Sequence, residues 1–210
     1  MRNASEVAFT SLQPEHASQV AILHKEGIPT GFLSSLGPEF LEELYRSISQ
    51  SPEGFGFVVS VDNQIAGFVA FCSNLRSLYK DILRGKTLKF LWVLTPKLIS
   101  WKVLKKVIEN IIYPGKTEKL NLPSAELLSI VVLANHQGKG FARKLIEMGF
   151  QECSRRNITH VKVLVAESNL LANRLYQKTG FQFITKIENH GVVSNVYVVP
   201  TDYFKENPLC

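Results

Sequence analysis

Cysteine is scarce and poorly placed for pairing. Cys72, Cys153 and Cys210 are odd in number and widely spaced. That argues against a disulfide framework and a zinc knuckle, and it fits a reducing cytosol. Histidine offers no metal-ligand spacing either, because His16, His24, His136, His160 and His190 are scattered along the chain. No charge-free apolar run reaches the roughly 18 residues that a spanning helix needs. The start, "MRNASEVAFTSLQ", lacks the apolar segment of a signal peptide. Internal repeats and low-complexity tracts are missing too. A cytoplasmic protein without a metal is the expectation.

The composition itself is that of a globular protein, with 45% hydrophobic and 20% charged residues in 210, enough for a sizeable core. The charge is uneven. The formal net is +6, yet Arg76 to Lys119 holds eleven Lys/Arg against Asp81, Glu109 and Glu118, a net of +8 that leaves −2 for the rest. Electrostatic arguments about partners therefore belong to that segment.

Hydrophobic periodicity divides the chain. "EVAFTSLQ" reads as a short strand, and "PEHASQVAILHKEG" as a helix with Ala17, Val20, Ala21, Leu23 and His24 on one face and Gly27 as its stop. "GPEFLEELYRSISQ" predicts a second helix, with Pro38 near its start and a stripe of Phe40, Leu41, Leu44, Tyr45 and Ile48. "GFGFVVSVDNQIAGFVAFCSN" predicts a hairpin around Asp62-Asn63-Gln64. Residues 75–123 break the pattern, with two or three helices punctuated by Gly85, Pro96 and Pro114 and then a connecting loop.

Beyond them the order is β-α-β-α-β-β. A strand at Glu126–Leu133 precedes a helix from about Gly140 to Arg155, and "THVKVLVA" is the next strand. A helix capped by Ser168 or Asn169 and stopped at Gly180 follows, then two strands about a His190-Gly191 turn. Strand–helix–strand of this length implies a parallel pair with a crossover helix. The expected architecture is α/β: a mixed sheet with helices on both faces, one domain over 1–210, and a basic helical insertion at about 75–123.

The stretch "NHQGKGFARKL", Asn135 to Leu145, links an apolar strand to a helix start. The first N–H groups of a helix lack internal partners, and its dipole favours an anion there. Gly138 and Gly140 remove the Cβ atoms that would hold a phosphate away, and Lys139 and Arg143 can add charge-assisted contacts. A Walker loop needs four residues between its glycines, whereas one separates them here; a dinucleotide fingerprint needs a small residue where Arg143 stands. Taken alone, the loop is open to a phosphate cradle or to an ordinary exposed turn.

Gln137-x-x-Gly140-x-Ala142, after an apolar strand and opening a helix, resembles the coenzyme A pyrophosphate loop of the GCN5-related N-acetyltransferase (GNAT) superfamily. Asn169-x-x-Ala172-x-x-Leu175-Tyr176, followed by Gly180-Phe181, resembles its second signature. The resemblance implies a GNAT-type fold with a partly splayed central sheet and acetyl-CoA as co-substrate. It implies pantetheine contacts from the backbones of Ile130, Val131 and Val132. Gln137, Gly138, Lys139, Gly140, Phe141, Ala142 and Arg143 would form the pyrophosphate loop, and Asn169 would help to hold the cofactor.

It also implies chemistry. A neutral amine attacks the thioester, so an ammonium must first lose a proton, to a carboxylate or to a water chain. Glu126 lies eleven residues before Gln137, matching in position the glutamate that is the base in histone-modifying members. A carboxylate at the edge of an apolar strand has a raised pKa, nearer to what a base needs. Tyr176 is the candidate acid for the leaving thiolate, and a backbone N–H near Val132 is the candidate oxyanion donor. Ribosomal-protein alanine acetyltransferases resemble the chain around "AELLSIVV" and "SNLLANRLY". They carry a glutamate five residues before the asparagine, where Leu164 stands here, and this departure weakens the case for peptide N-terminal specificity.

Residues 75–123 are foreign to the usual pattern of the superfamily. They are open to three readings: a lid whose lysines draw in a small anionic amine such as an amino-sugar derivative, a membrane-surface helix pair, or amphipathic helices on the sheet or at a homodimer contact. No recognisable nucleic-acid module interleaves the lysines, so nucleic acid is not an expected partner. A protein N-acetyltransferase and a catalytically silent acyl-CoA-binding protein remain the alternatives to a small-amine enzyme.

Overall fold

The computed structural model describes residues 6–29, 31–85, 120–189 and 192–206. Its centre is a seven-stranded sheet in the order β1-β2-β3-β4-β5-β7-β6. The strands are β1 (Val7–Ser11), β2 (Gly54–Val61), β3 (Gln64–Cys72), β4 (Glu126–Val132), β5 (His160–Ala166), β6 (Gln182–Asn189) and β7 (Val192–Pro200). All neighbours pair antiparallel except β4 and β5.

The β2–β3 hairpin turns on Asp62 and Asn63 with φ of 51° and 64°. Both central residues are therefore left-handed, the type I′ geometry that matches strand twist and suits Asp and Asn. Gln64, expected in the turn, instead opens β3 opposite Val61.

Helices cover both faces, each burying the stripe that its spacing predicts. On one face α1 (Ala17–Gly27) and α3 (Pro38–Gln50) pack with the short α2 (Phe32–Ser35). Phe40, Leu41, Leu44, Tyr45 and Ile48 are all buried there. The first of the helices expected in 75–123 is α4 (Leu75–Gly85), and Leu75, Leu78 and Ile82 join this same core. The remaining helices of that segment, and its readings as lid, membrane contact or dimer contact, fall largely on 86–119, outside the described residues. On the other face α5 (Phe141–Arg155), the β4–β5 crossover, buries Leu145, Ile146, Phe150 and Cys153. Tyr176 of α6 (Leu170–Lys178) and Phe204 of α7 (Tyr203–Glu206) complete that second core.

The last turn of α1 lies directly on β4. A Cβ on Gly27 would stand 2.4 Å from Cγ1 of Val131, so glycine is required by the close approach.

β4 and β5 pair only at Glu126↔Lys162 and Leu127↔Val163. Beyond those rungs each strand keeps its outer neighbour, β4 with β3 as far as Val132↔Gly67 and β5 with β7 as far as Ala166↔Ser194. The parallel pair therefore opens into a V toward the carboxyl ends of its strands.

Candidate active site

The V exposes strand backbone. Leu133 donates its N–H to the Ala66 carbonyl at 2.9 Å. In an antiparallel ladder hydrogen-bonded and non-bonded pairs alternate, so Val131 faces β3 while Ile130 and Val132 turn their N–H and C=O groups toward the gap. Gln137 confirms this orientation, because its Nε2 donates to the Val132 carbonyl at 3.0 Å. Of the three apolar residues expected to line a pantetheine arm, two face the gap. Val131 contributes its side chain to the α1 core instead.

At the open end of the V, Ala134–His136 makes a 3-10 turn and leads into the glycine loop. Gly138 and Gly140 have φ of 77° and 80°, and neither has an atom within 4 Å of where a Cβ would be. The glycines answer a backbone requirement and leave open space. Gly140 is the N-cap of α5, which has no side-chain cap and no acidic residue in its first turn. Its leading N–H groups and positive dipole end are thus available to an anion. Phe141 anchors the helix start, its ring edge-on to Phe9 at 5.8 Å and stacked with His136 at 6.1 Å. Ala142 follows in the first turn. Lys139 Nζ lies 3.3 Å from His136 Nδ1. The Arg143 guanidinium lies over the Phe204 ring at 5.2 Å.

The candidate base lies at the closed end. Glu126 is 7% exposed, on the sheet face that carries α1, α3 and α4. Burial pushes its carboxyl above the usual carboxylate range, and the nearby Lys162 ammonium opposes that shift. The candidate acid lies on the opposite face. Tyr176 is buried against Phe181 and Tyr197, at ring distances of 5.2 Å and 6.4 Å, and burial raises its phenol pKa. The two groups reach a common substrate only through the gap between β4 and β5.

Asn169 is the N-cap of α6, and its Oδ1 accepts from the Ala172 N–H at 3.1 Å. One turn on lies a residue that sequence reasoning passed over. Asn173 Nδ2 donates to the carbonyls of Ala166 (3.0 Å) and Asn169 (2.7 Å), and its Oδ1 accepts from Asn195 Nδ2 and Tyr197 Oη, both at 2.8 Å. It ties α6 to the end of β5 and to the middle of β7. A buried helix face that carries an asparagine between Ala172 and Tyr176 was the available signal. Lys162 was also missed; its signal is a lysine alternating with Val161 and Val163 inside an apolar strand.

Among the described residues the sheet parts at its one parallel pair, with a glycine-bounded helix start at the open end. The chain belongs to the acetyltransferase (GNAT) family, whose sequence model matches residues 25–181. Members of this family are acyltransferases that use acetyl-CoA. No curated protein matches the sequence. Solved structures share the fold. The ribosomal-protein-S18-alanine N-acetyltransferase from Escherichia coli is 15% identical with a TM-score of 0.60, covering 93% of this chain and 94% of its own. A spermidine N-acetyltransferase chimera from Vibrio cholerae and hSSAT is 20% identical, with a TM-score of 0.59 and coverage of 95% and 99%. Arabidopsis thaliana NAA60 in complex with acetyl-CoA is 15% identical, with a TM-score of 0.58 and coverage of 93% and 98%. Among the described residues no helix is long and apolar enough to cross a membrane, and no group of His, Cys, Asp or Glu could hold a metal.

The residues present suit acetyl-CoA. A pyrophosphate needs N–H donors and room, which the start of α5 and the open positions beside Gly138 and Gly140 supply. A pantetheine arm needs strand backbone that faces the gap, which Ile130 and the N–H of Val132 supply, the Val132 carbonyl being taken by Gln137.

Proposed function

We propose that the protein is an N-acetyltransferase that transfers acetyl from acetyl-CoA to the primary amine of a small acceptor, by direct attack of the amine on the thioester. The observation that carries this reading is the V between β4 and β5, which ends on the uncapped, glycine-bounded start of α5. Acetyl-CoA supplies the activated acyl group; the chain supplies binding and proton handling. The N–H groups from Gly138 to Arg143 hold the pyrophosphate, and Ile130 and Val132 hold the pantetheine arm. Asn169 acts through the geometry of the α6 start. The Val132 N–H faces the gap, where it can stabilise negative charge on the reacting carbonyl oxygen.

The proton balance assigns the two candidate side chains. The acceptor ammonium gives one proton to Glu126, which frees the lone pair that forms the C–N bond. The C–S bond breaks and Tyr176 gives its proton to the departing sulfur; the second proton, shed by the newly acylated nitrogen, restores the phenol, and the proton on Glu126 is the one released to solvent. Burial of Glu126 supports its role, because a carboxyl held above its ordinary range takes up a proton more readily near neutral pH. Burial of Tyr176 keeps the phenol protonated and able to donate.

A small anionic acceptor, with an amino-sugar derivative as the example, is supported by the net charge of +8 between Arg76 and Lys119. Leu164 supports a non-peptide acceptor, since it packs against the α1 core where the alanine acetyltransferases carry a carboxylate. We read 1–210 as one catalytic domain in a cytoplasmic setting. A panel of primary amines incubated with acetyl-CoA, with free thiol as the readout, tests the reading. An anionic amino sugar is expected among the substrates. Thiol release with none of the amines, together with no thermal shift on adding acetyl-CoA, overturns it.

A further inference from the structure

The rung that closes the V carries opposite charges. Glu126 and Lys162 are Cα partners in the parallel pair, and both side chains are buried, with Nζ 3.6 Å from Oε2. That separation makes an ion pair but exceeds hydrogen-bonding distance, and Glu126 Oε2 has no hydrogen-bond partner. The ammonium is held by other groups. It donates to the Pro123 carbonyl at 2.5 Å and to the Ser124 carbonyl at 3.3 Å.

An ion pair kept for stability alone gains most when it closes its own hydrogen bond, and even then a buried pair is weak support for stability. Here the cation is anchored to backbone while the carboxylate keeps an open lone pair. If Glu126 becomes neutral, Lys162 still has two acceptors. The arrangement therefore tolerates both protonation states of the carboxyl, as a base must.

Two neutral titratable groups lie near Glu126, the Cys72 thiol and the Tyr79 phenol, and the Glu53 carboxylate acts on that thiol as well. Cys72 of β3 is the register partner of Glu126, and burial first, then Glu126, pushes that thiol up. Tyr79 of α4 is raised by burial and by the same carboxylate. Among the described residues Lys162 supplies the charge that acts on Glu126.

We propose that Lys162 is a positioning residue for proton transfer: its carbonyl-anchored ammonium lets Glu126 lie buried as a carboxylate, ready to accept the proton of the acceptor amine. This rests on the reading of Glu126 as the base. The role of Lys162 is electrostatic, since its ammonium is held by the Pro123 and Ser124 carbonyls and acts on Glu126 across 3.6 Å.

The test is a carboxyl titration of the full-length protein without ligand, followed by NMR of glutamate labelled with carbon-13 at Cδ. Glu126→Gln assigns the resonance. In Lys162→Met the Glu126 midpoint is expected at higher pH than in wild type, because the one lowering influence has gone. Lys162→Arg, which keeps the charge, should restore the midpoint toward the wild-type position. A midpoint unchanged in a folded Lys162→Met variant overturns the proposal. If that variant does not fold, Lys162→Gln, whose amide can still donate to Pro123 and Ser124, takes its place with the same two outcomes. The base reading fails separately: full turnover by Glu126→Gln on an amine the wild type acetylates removes it, whatever the NMR midpoints show.

Discussion

His24 Nδ1 lies 2.5 Å from the Tyr45 hydroxyl, and both side chains are buried in the core that α1 and α3 form against the sheet. Burial raises the Tyr45 phenol, with Ser129 of β4 as an opposing hydrogen-bond donor. The phenol therefore stays protonated and shares a hydrogen bond with Nδ1, while Nε2 has no partner. Burial lowers the His24 pKa from 6.5 to about 4.

That shift predicts acid sensitivity. The unfolded chain protonates His24 below about pH 6.5, while the folded chain keeps it neutral to about pH 4. The unfolded state binds more protons across this window, so stability falls as pH drops through it and is fully present above it. At about 1.4 kcal/mol per unit the total loss is about 3 kcal/mol. Urea midpoints measured from pH 7 to pH 4 should fall more steeply for wild type than for His24→Gln. Parallel curves would show that His24 is not the source.

Gly138→Ala and Gly140→Ala separate binding from folding. A left-handed alanine costs roughly 1 kcal/mol or more, but nothing stands within 4 Å of either added methyl group, so the fold should survive with a modest drop in Tm. The methyl group enters the space assigned to the pyrophosphate. Acetyl-CoA affinity should fall about tenfold or more, the equivalent of one charge-assisted hydrogen bond. Calorimetric titration with acetyl-CoA reads this directly, and wild-type affinity in both variants would move the cradle elsewhere.

What could be read from the sequence follows from how local each cause is. The α3 stripe, the Asp62-Asn63 turn and a cap at Ser168 or Asn169 are set within a few residues of themselves, and each signal survives in isolation; the glycine loop is as local, but alone it reads equally as an ordinary turn. The V could be expected only through the family resemblance, because the parting of β4 from β5 depends on which rungs pair across the crossover. Glu126 could be found by its distance from Gln137, but its burial opposite Lys162 depends on the register of two strands 36 residues apart. Asn173 is hidden for the same reason: its partners Asn195 and Tyr197 lie more than 20 residues away on β7. The contrast between Ile130 and Val131 was equally out of reach, since it depends on a ladder with β3 and not on residue type.

Asn173→Ala should destabilise the protein without touching the reacting groups. It removes the partner of two buried donors, Asn195 Nδ2 and Tyr197 Oη, while the Ala166 and Asn169 carbonyls each keep a backbone donor. Each buried group left unpaired costs about 1–3 kcal/mol, so a loss of about 3 kcal/mol is expected, or roughly 6–12 °C in Tm at this size. Thermal denaturation of the variant measures it. A shift below a degree would mean that water replaces the amide fully.

Tyr176→Phe isolates one proton transfer. The ring is buried between Phe181 and Tyr197, and phenylalanine keeps that packing, so Tm and acetyl-CoA affinity should stay close to wild type. The proton for the departing sulfur must then come from water. General acid catalysis is worth roughly 10²–10⁴-fold, and kcat should fall by that factor with little change in KM. Because burial raises the phenol pKa, Tyr176 itself gives wild type no alkaline limb near neutral pH, and the fall should be similar at pH 7 and pH 8.5. Wild-type kcat in Tyr176→Phe would remove the phenol from the mechanism and leave solvent as the proton source, while the assignment of the cofactor cleft would stand.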